Sequence, residues 1–276
     1  MSVDRLQGLL QRFSVRARMF HSGPLCGLTE FPPNGQGQLH LLRRGPVEVR
    51  HAGTALTVTE PSLLLYPRPL AHRFLTDAQA GADLACANLA FGPGDQHPVA
   101  RALPAFVRLP LADLHGARPV LELLFDEAFA QRCGRRGVVD RLFEVVLVLV
   151  LRHLLDAGLV HDGPLAGLGH PQLARALAAM HDDPAHPWTL DTLAARAGMS
   201  RSRFAEVFAQ VVGQPPAAYL AGFRITLAQA ALQRGERMEG IAQQVGYGSA
   251  AALSRAFTGV CGVSPRQWRQ AADAAA

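Results

Sequence analysis

Arg201 and Ser202 follow directly on Ser200, Glu206 lies one helical turn beyond Ser202, and all three carry side chains that can hydrogen-bond a base edge or a phosphate. Such groups matter only if a helix holds them outward, and the neighbouring residues predict one. A serine ahead of an apolar-periodic stretch caps a helix by accepting its free N–H groups, and Phe204 and Phe208, four apart, share the face that must be buried. The arrangement occurs twice. Ser200 and Ser249, Phe204 and Leu253, Phe208 and Phe257, Gly213 and Gly262, Pro216 and Pro265, Tyr219 and Trp268 all match at one offset of 49 residues. Gly198 and Gly246 depart from it by one residue, which places a single insertion in a turn. Caps, core and stop signals therefore repeat together, the mark of a duplicated helix-turn-helix unit. Between the copies, Pro215 to Leu232 predicts one helix of ~18 residues and ~27 Å, a spacer able to hold two such units roughly one DNA turn, ~34 Å, apart. Helical hairpins are more often packing than reading devices; the polar start of the first copy and the rigid spacer are what favour DNA.

The elements that must position these helices follow from composition and periodicity. At 276 residues, 49% hydrophobic and 18% charged with mean hydropathy +0.11, the chain has room for two ordinary cores and is not disordered. All 27 basic residues are arginine, a choice that a composition bias explains as well as function does. The net charge is +5: 17 Arg stand against 15 Asp and Glu before residue 170, and 10 against 7 after it, which permits nucleic-acid binding without demonstrating it. Residues 25–110 alternate short apolar runs with turn formers such as Pro32, Gly45, Gly53 and Pro61, the pattern of an antiparallel barrel or sandwich. From residue 119 to 158 the period is helical, and this stretch is expected to form a helical hairpin completing a first domain over 1–158. Residues 159–171, rich in Gly and Pro, read as a linker, and 172–276 as an all-helical domain. The fold class is α+β. The apolar run Val145 to Leu151 is closed by Arg141, Glu144 and Arg152, far short of the ~20 residues of a membrane span, so a buried helix and no membrane contact are expected. The amphipathic start MSVDRLQGLLQRF lacks an apolar signal core, and the expected location is the cytoplasm. Cys26, Cys86, Cys133 and Cys261 form no CxxC pair, and no Gly-rich phosphate loop or nucleophile elbow occurs. No catalytic residue is assigned and the chain is not read as an enzyme.

Over WTLDTLAARAGMSRSRFAEVFAQVVGQPPAAYLAGFRITLAQAAL and IAQQVGYGSAAALSRAFTGVCGVSPRQWR the sequence resembles the DNA-binding domain of AraC/XylS-type bacterial transcription regulators. That resemblance implies two helix-turn-helix units joined by a long helix, with double-stranded promoter DNA as partner. It implies that Ser200, Arg201, Ser202 and Glu206 lie on the DNA-facing surface of the first unit, and Ser249, Ala250, Ala251, Ser254 and Arg255 on that of the second. The three alanines 250–252 leave the second unit few hydrogen-bonding groups, so phosphate contacts from Ser249 and Arg255 and a thymine-methyl contact from alanine are expected there. Arg224 reads as a phosphate contact or a structural ion pair.

LCGLTEF, GQLHLLRRG, PSLLLYPRPLAHRF and ACANLAFGPGDQHPVARALP resemble the small cupin domain of a subset of that family, which implies an antiparallel β-barrel sensing a small molecule or an oxidant, followed by helices that pair two subunits in a homodimer, pack on their own barrel, or do both. One member of the subset responds to reactive chlorine through two cysteines, and Cys26 and Cys86 fall where those lie. The alternative for each is a small buried hydrophobe; a sensor needs an exposed low-pKa thiolate and a resolving partner. Cys133, beside Arg132, Arg135 and Arg136, has cationic neighbours, and Cys261 reads as core. Because cupins often hold metal, His40, His51 and His72 together with Cys26 and Cys86 could form a zinc site if the strands converge, His40 and His72 being the candidate ligands. Two readings compete with the regulator: a cupin metal-binding protein or enzyme with a helical accessory domain, and an interaction adaptor whose helices no longer read DNA.

Overall fold

The computed structural model describes residues 4–12, 15–91, 98–160 and 162–274. In chain order its elements are α1 (Gln7–Arg12), β1 (Arg16–Leu25), β2 (Leu28–Phe31), β3 (Gly37–Arg44), β4 (Val47–His51), β5 (Thr54–Val58), β6 (Ser62–Tyr66), β7 (His72–Leu75), β8 (Ala82–Ala90), α2 (Pro98–Ala102) and β9 (Val107–Pro110). Then come α3 (Arg118–Phe129), α4 (Arg135–Asp156), α5 (Gly163–Gly169), α6 (Leu173–Asp182), α7 (Leu190–Ala197), α8 (Arg201–Val212), α9 (Pro216–Gln233), α10 (Met238–Gln244), α11 (Ala250–Cys261) and α12 (Pro265–Ala274). They fall into two compact units, one of residues 15–91 and 103–157, the other of 1–14, 92–102 and 158–276. Residues 92–97, within one of the stretches that resemble a cupin, lie outside the described residues.

The first unit holds two antiparallel sheets, ordered β1-β8-β3-β6-β9 and β2-β7-β4-β5. Strands β3, β6 and β8 are central in the larger sheet, which is why GQLHLL and SLLLY run apolar without alternation and are buried. Phe31, Leu42, Val49, Leu64, Phe74, Leu84 and Cys86 pack into one core. The pair α3 and α4 forms the expected helical hairpin and packs on β1. There Asp140 Oδ1 accepts the Met19 N–H at 2.7 Å and Glu144 Oε1 the Ala17 N–H at 3.2 Å, so two outward donors of an edge strand are answered by carboxylates one helical turn apart. Above the end of β3, the Arg43 guanidinium lies 5.8 Å from the Phe125 ring centre and 5.2 Å from that of Phe129.

The structure departs from three expectations. The sheet begins at Arg16, not near residue 25: β1 is a half-buried edge strand whose mixed composition hides its period. Not all of the run Val145 to Leu151 is buried, because on a 22-residue helix the positions facing β1 and α3 are Val139, Phe143, Val146, Val150 and Leu154, while Val138 and Val145 turn outward at 41% and 43% exposure. Residues 159–171 are not all linker, since α5 occupies the middle, opened by Pro164 and burying Leu165 and Leu168 against α6 and α8.

The second unit is helical. Phe204, Phe208, Tyr219 and Phe223 are buried together with His181, and Ile225, Ala228, Leu232, Ile241, Leu253 and Phe257 form a second core. α9, 18 residues long as expected, runs through both. Helix α1 belongs to this unit although it precedes β1: Leu9 is 1% exposed, and Arg12 donates to the backbone carbonyls of His181 and Asp182, both at 2.7 Å, closing the end of α6. Among the described residues no helix is long and apolar enough to cross a membrane.

Candidate nucleic-acid interface and a buried histidine pair

Helix α7 ends at Gly198, whose φ of +66° turns the chain toward α8. Ser200 Oγ then accepts the Arg203 N–H at 3.4 Å, and Phe204, Val207, Phe208 and Val212 face inward. Arg201, Ser202, Arg203 and Glu206 are left exposed on one side. Neither arginine of this helix is a bare cation: Arg203 bonds Glu206 at 3.1 Å and Arg201 bonds Asp191 at 3.4 Å. Arg203 was not among the expected contacts, yet its spacing of three from Glu206 on a helix surface is a signal the sequence contains.

The second copy repeats the construction. Ser249 Oγ accepts the Ala252 N–H at 3.2 Å, and Leu253 and Phe257 are fully buried. Ala251 and Arg255 are exposed, Ala250 and Ser254 half-buried, and Thr258 is exposed one turn further on. Among the described residues Arg255 makes no ion pair.

Arg224 on α9 is neither bare cation nor ion pair. Its Nε donates to the Pro184 carbonyl at 2.7 Å and its Nη2 to that of His186 at 2.9 Å, while the guanidinium sits 5.8 Å from the Tyr247 ring centre. Burial lowers its pKa from the ordinary value. Beside it, Gly246 approaches Ala185 so closely that an added Cβ would lie 2.6 Å from the Ala185 carbonyl oxygen. The turn before α11 is thus pressed on the loop before α7.

In the sheet unit, the candidate ligands His40 and His72 do converge, from β3 and β7, with their Nε2 atoms 2.9 Å apart. His72 Nδ1 donates to the Leu70 carbonyl at 2.8 Å, so its Nε2 is the acceptor and His40 Nε2–H the donor. That assignment leaves His40 Nδ1 a bare lone pair, fully buried and without a partner. Burial, reinforced by the neighbouring His72 and His21, holds the His40 pKa well below 6.5, and burial takes that of His72 to about 4. Tyr66 stacks on His72 with ring centres 3.9 Å apart, and its hydroxyl meets His51 Nδ1 at 3.0 Å. His51 and His72 line a cavity of about 660 Å³ whose wall also includes Phe31, Pro33 and Thr54. As a zinc site the donor set does not fit: the two imidazoles share a proton between the very atoms that would ligate, and among the described residues no third ligating side chain joins them.

Cys26 and Cys86 are not brought together. Leu25 pairs with Ala82 and His21 with Cys86, four residues apart on β8, which is ~13 Å of strand, against at most ~7 Å between Cα atoms across a disulfide. Cys26 is exposed near Gly81; Cys86 is buried and burial pushes its thiol pKa up, the reverse of a reactive thiolate. Cys133 is exposed, and Cys261 accepts from Gln229 Nε2 at 3.3 Å.

A two-sheet unit and a helical unit with a repeated helix-turn-helix define the class as a cupin joined to a helix-turn-helix domain, and the family comparisons agree. A cupin model matches residues 4–156 and a helix-turn-helix domain model residues 193–271. The chain belongs to the AraC-type family whose members carry an N-terminal cupin. It is similar to a putative AraC-like transcription regulator of Streptomyces antibioticus, 40% identical over 172 residues that cover 61% of this chain and 57% of that relative. Along more of its length it is similar to RclR of Escherichia coli, named an RCS-specific transcriptional activator, at 25% identity with 86% of this chain and 87% of that one covered. Among solved structures, the DNA-binding domain of AdpA in complex with a target DNA is 31% identical, with 38% of this chain and 96% of that chain aligned and a TM-score of 0.36.

Proposed function

We propose that this protein is a sequence-specific transcription regulator in which the domain from residue 172 binds promoter DNA through two helix-turn-helix units joined by α9, and the cupin domain modulates that binding. The observation that carries the reading is the matched pair α8 and α11: each is capped by a serine, each buries its aromatic or leucine face, and each keeps polar side chains outward. Ser200, Arg201, Ser202 and Glu206 then face one major groove, and Ser249, Ala250, Ala251, Ser254 and Arg255 the next. Arg224 is not a phosphate contact in this reading, because its donors are bonded to the carbonyls of Pro184 and His186.

The cavity beside His51 and His72 supports a small-molecule effector, since it is concave, mostly apolar and carries a few polar groups. An oxidant acting through a Cys26–Cys86 disulfide would first have to disrupt β8. Homodimer formation through α4 is supported by its outward Val138, Leu142 and Val145, which border a groove of about 450 Å³ with Gly134 and Gly137. The location proposed is the cytoplasm, where the DNA is.

The test is binding, at fixed salt, to the promoter region upstream of its own gene in competition with random duplex. The reading expects specific binding and a steep loss of affinity with added salt as phosphate counterions are released. Equal affinity for both duplexes would overturn it.

A further inference from the structure

Resting on the small-molecule reading of the cavity beside His51, we propose that its ligand is an organic anion, whose carboxylate or phosphate bridges Arg50 and Arg73 and whose apolar body lies against Pro32, Pro33 and Ala55.

The middle of the sheet unit is filled: His40, Tyr66, His72 and Phe74 are at most 2% exposed and lie ring against ring. The cavity lies instead at the rim, where residues 30–33, 50–55 and 71–73 bring together the end of β2, the turn between β4 and β5, and the start of β7. Its volume of about 660 Å³ is within the range of small-molecule sites.

The strand register places the charges. Glu30 pairs with Arg73, Arg73 with Arg50 and Arg50 with Ala55, so these four share one face of the smaller sheet, and all four line the cavity. Two arginines directly opposite each other on neighbouring strands repel, an arrangement that costs stability. Their own carboxylates do not stand between them. Glu30 lies on the far side of Arg73, 3.1 Å from its Nε, and Glu48 lies two residues back along β4, 2.6 Å from the Nε of Arg50. Neither arginine has a second acceptor among the described residues. A bidentate carboxylate uses two of the five N–H groups of a guanidinium, so each arginine keeps donors for a ligand. An anion between the two turns a repulsion into a pair of charge-assisted bonds.

His51 adds a donor to the same wall. Tyr66 is buried, and His51 Nδ1, at 3.0 Å, is the acceptor its hydroxyl has among the described residues, so the phenol donates and the imidazole proton sits on Nε2. The remaining wall is different in kind. Pro32, Pro33, Ala52, Ala55 and Ala71 offer apolar surface, which a bare inorganic ion would not use and an organic body would.

The experiment is calorimetric titration of the full-length protein with phenyl phosphate, benzoate, benzamide and inorganic phosphate, repeated with Arg50→Gln, Arg73→Gln and Ala55→Trp. Phenyl phosphate or benzoate is expected to bind at least ~10-fold more tightly than benzamide, which keeps the ring without the charge, and the tighter of the two identifies the head group. Either arginine substitution should weaken that binding ~10-fold or more. The melting temperature should not fall with it, because each substitution removes an exposed ion pair worth little together with a repulsion. Ala55→Trp, which fills the cavity, should abolish binding. Inorganic phosphate bound as tightly as phenyl phosphate would overturn the apolar body. Anion affinity that neither arginine variant changes would overturn the bridge. Benzamide bound as tightly as benzoate, and lost in Ala55→Trp, would overturn the anionic class while leaving the cavity a small-molecule site. No binding of any probe at ~1 mM, the weak end of specific affinity, would overturn both.

Discussion

Met19 and Asp140 are joined by a 2.7 Å bond from a backbone N–H of an edge strand to a helix carboxylate. The neighbouring bond from Ala17 to Glu144 repeats it two residues along the strand and four along the helix, so the period of the strand's outward donors matches one helical turn of α4. This is how β1 can close the larger sheet without a further strand, and how the α3-α4 hairpin is held to it. Asp140→Ala is expected to destabilise the unit by about 1 kcal/mol, the net worth of a hydrogen bond whose groups are only partly buried, and Glu144→Ala by less, its bond being longer. Thermal or urea unfolding followed by near-UV circular dichroism measures both; a neutral Asp140→Ala would mean that water replaces the carboxylate at no cost.

The buried histidine pair gives stability a definite pH dependence. His40 and His72 are neutral in the fold, with pKa values held well below 6.5 and at about 4, whereas unfolding restores the usual 6.5. Between pH ~4 and ~6.5 the unfolded chain therefore binds more protons than the folded one, and stability rises with pH across that window, by up to about 1.4 kcal/mol per pH unit for each proton. Above pH ~7 this contribution is fully present; it is lost on acidification. His72→Phe, which keeps a ring between Phe31 and Tyr66, should shallow the slope. Equal melting temperatures at pH 7 and pH 5 in the wild type would contradict a buried neutral pair.

Thiol reactivity follows from burial. Ellman's reagent should label Cys26 and Cys133 of the native protein quickly and Cys86 only after unfolding, because Cys86 is fully buried with a raised pKa. Mass spectrometry after mild hypochlorous acid treatment should find oxidised Cys26 without a Cys26–Cys86 crosslink. Rapid formation of that crosslink would require β8 to leave its place between β1 and β3, and would restore the oxidant-driven reading.

The helical half was legible because its signals are local. Ser200 and Ser249 cap through the residue three ahead, Phe204 and Phe208 share a face through the helical period, and the 49-residue offset needs only the chain itself. What escaped depends on tertiary contact. His40 and His72 are 32 residues apart on strands of different sheets, so their meeting is a consequence of topology. Arg224 bonds carbonyls 38 and 40 residues away, which no pattern around it announces. Helix α5 has three glycines and a proline in seven residues and is held by the burial of Leu165 and Leu168 rather than by propensity.

Two glycines that look alike in the repeat should answer differently to substitution. Gly198 and Gly246 both adopt left-handed backbone, at φ +66° and +80°, so alanine strains either by about 1–2 kcal/mol. Around Gly198 there is open space, and Gly198→Ala should cost that strain and little else. At Gly246 the new Cβ would meet the Ala185 oxygen, Cα and carbonyl carbon at 2.6, 2.7 and 3.0 Å, all backbone atoms that cannot swing aside. Gly246→Ala must therefore push the turn before α11 away from the loop before α7 and stretch the Arg224 bonds beneath it. Gly246→Ala is expected to lose more stability than Gly198→Ala and, on DNA, to lose specific affinity at a spacing the wild type prefers while keeping salt-dependent binding to random duplex. Equal costs for the two substitutions, read by denaturant unfolding, would mean that the Gly246–Ala185 contact yields without consequence.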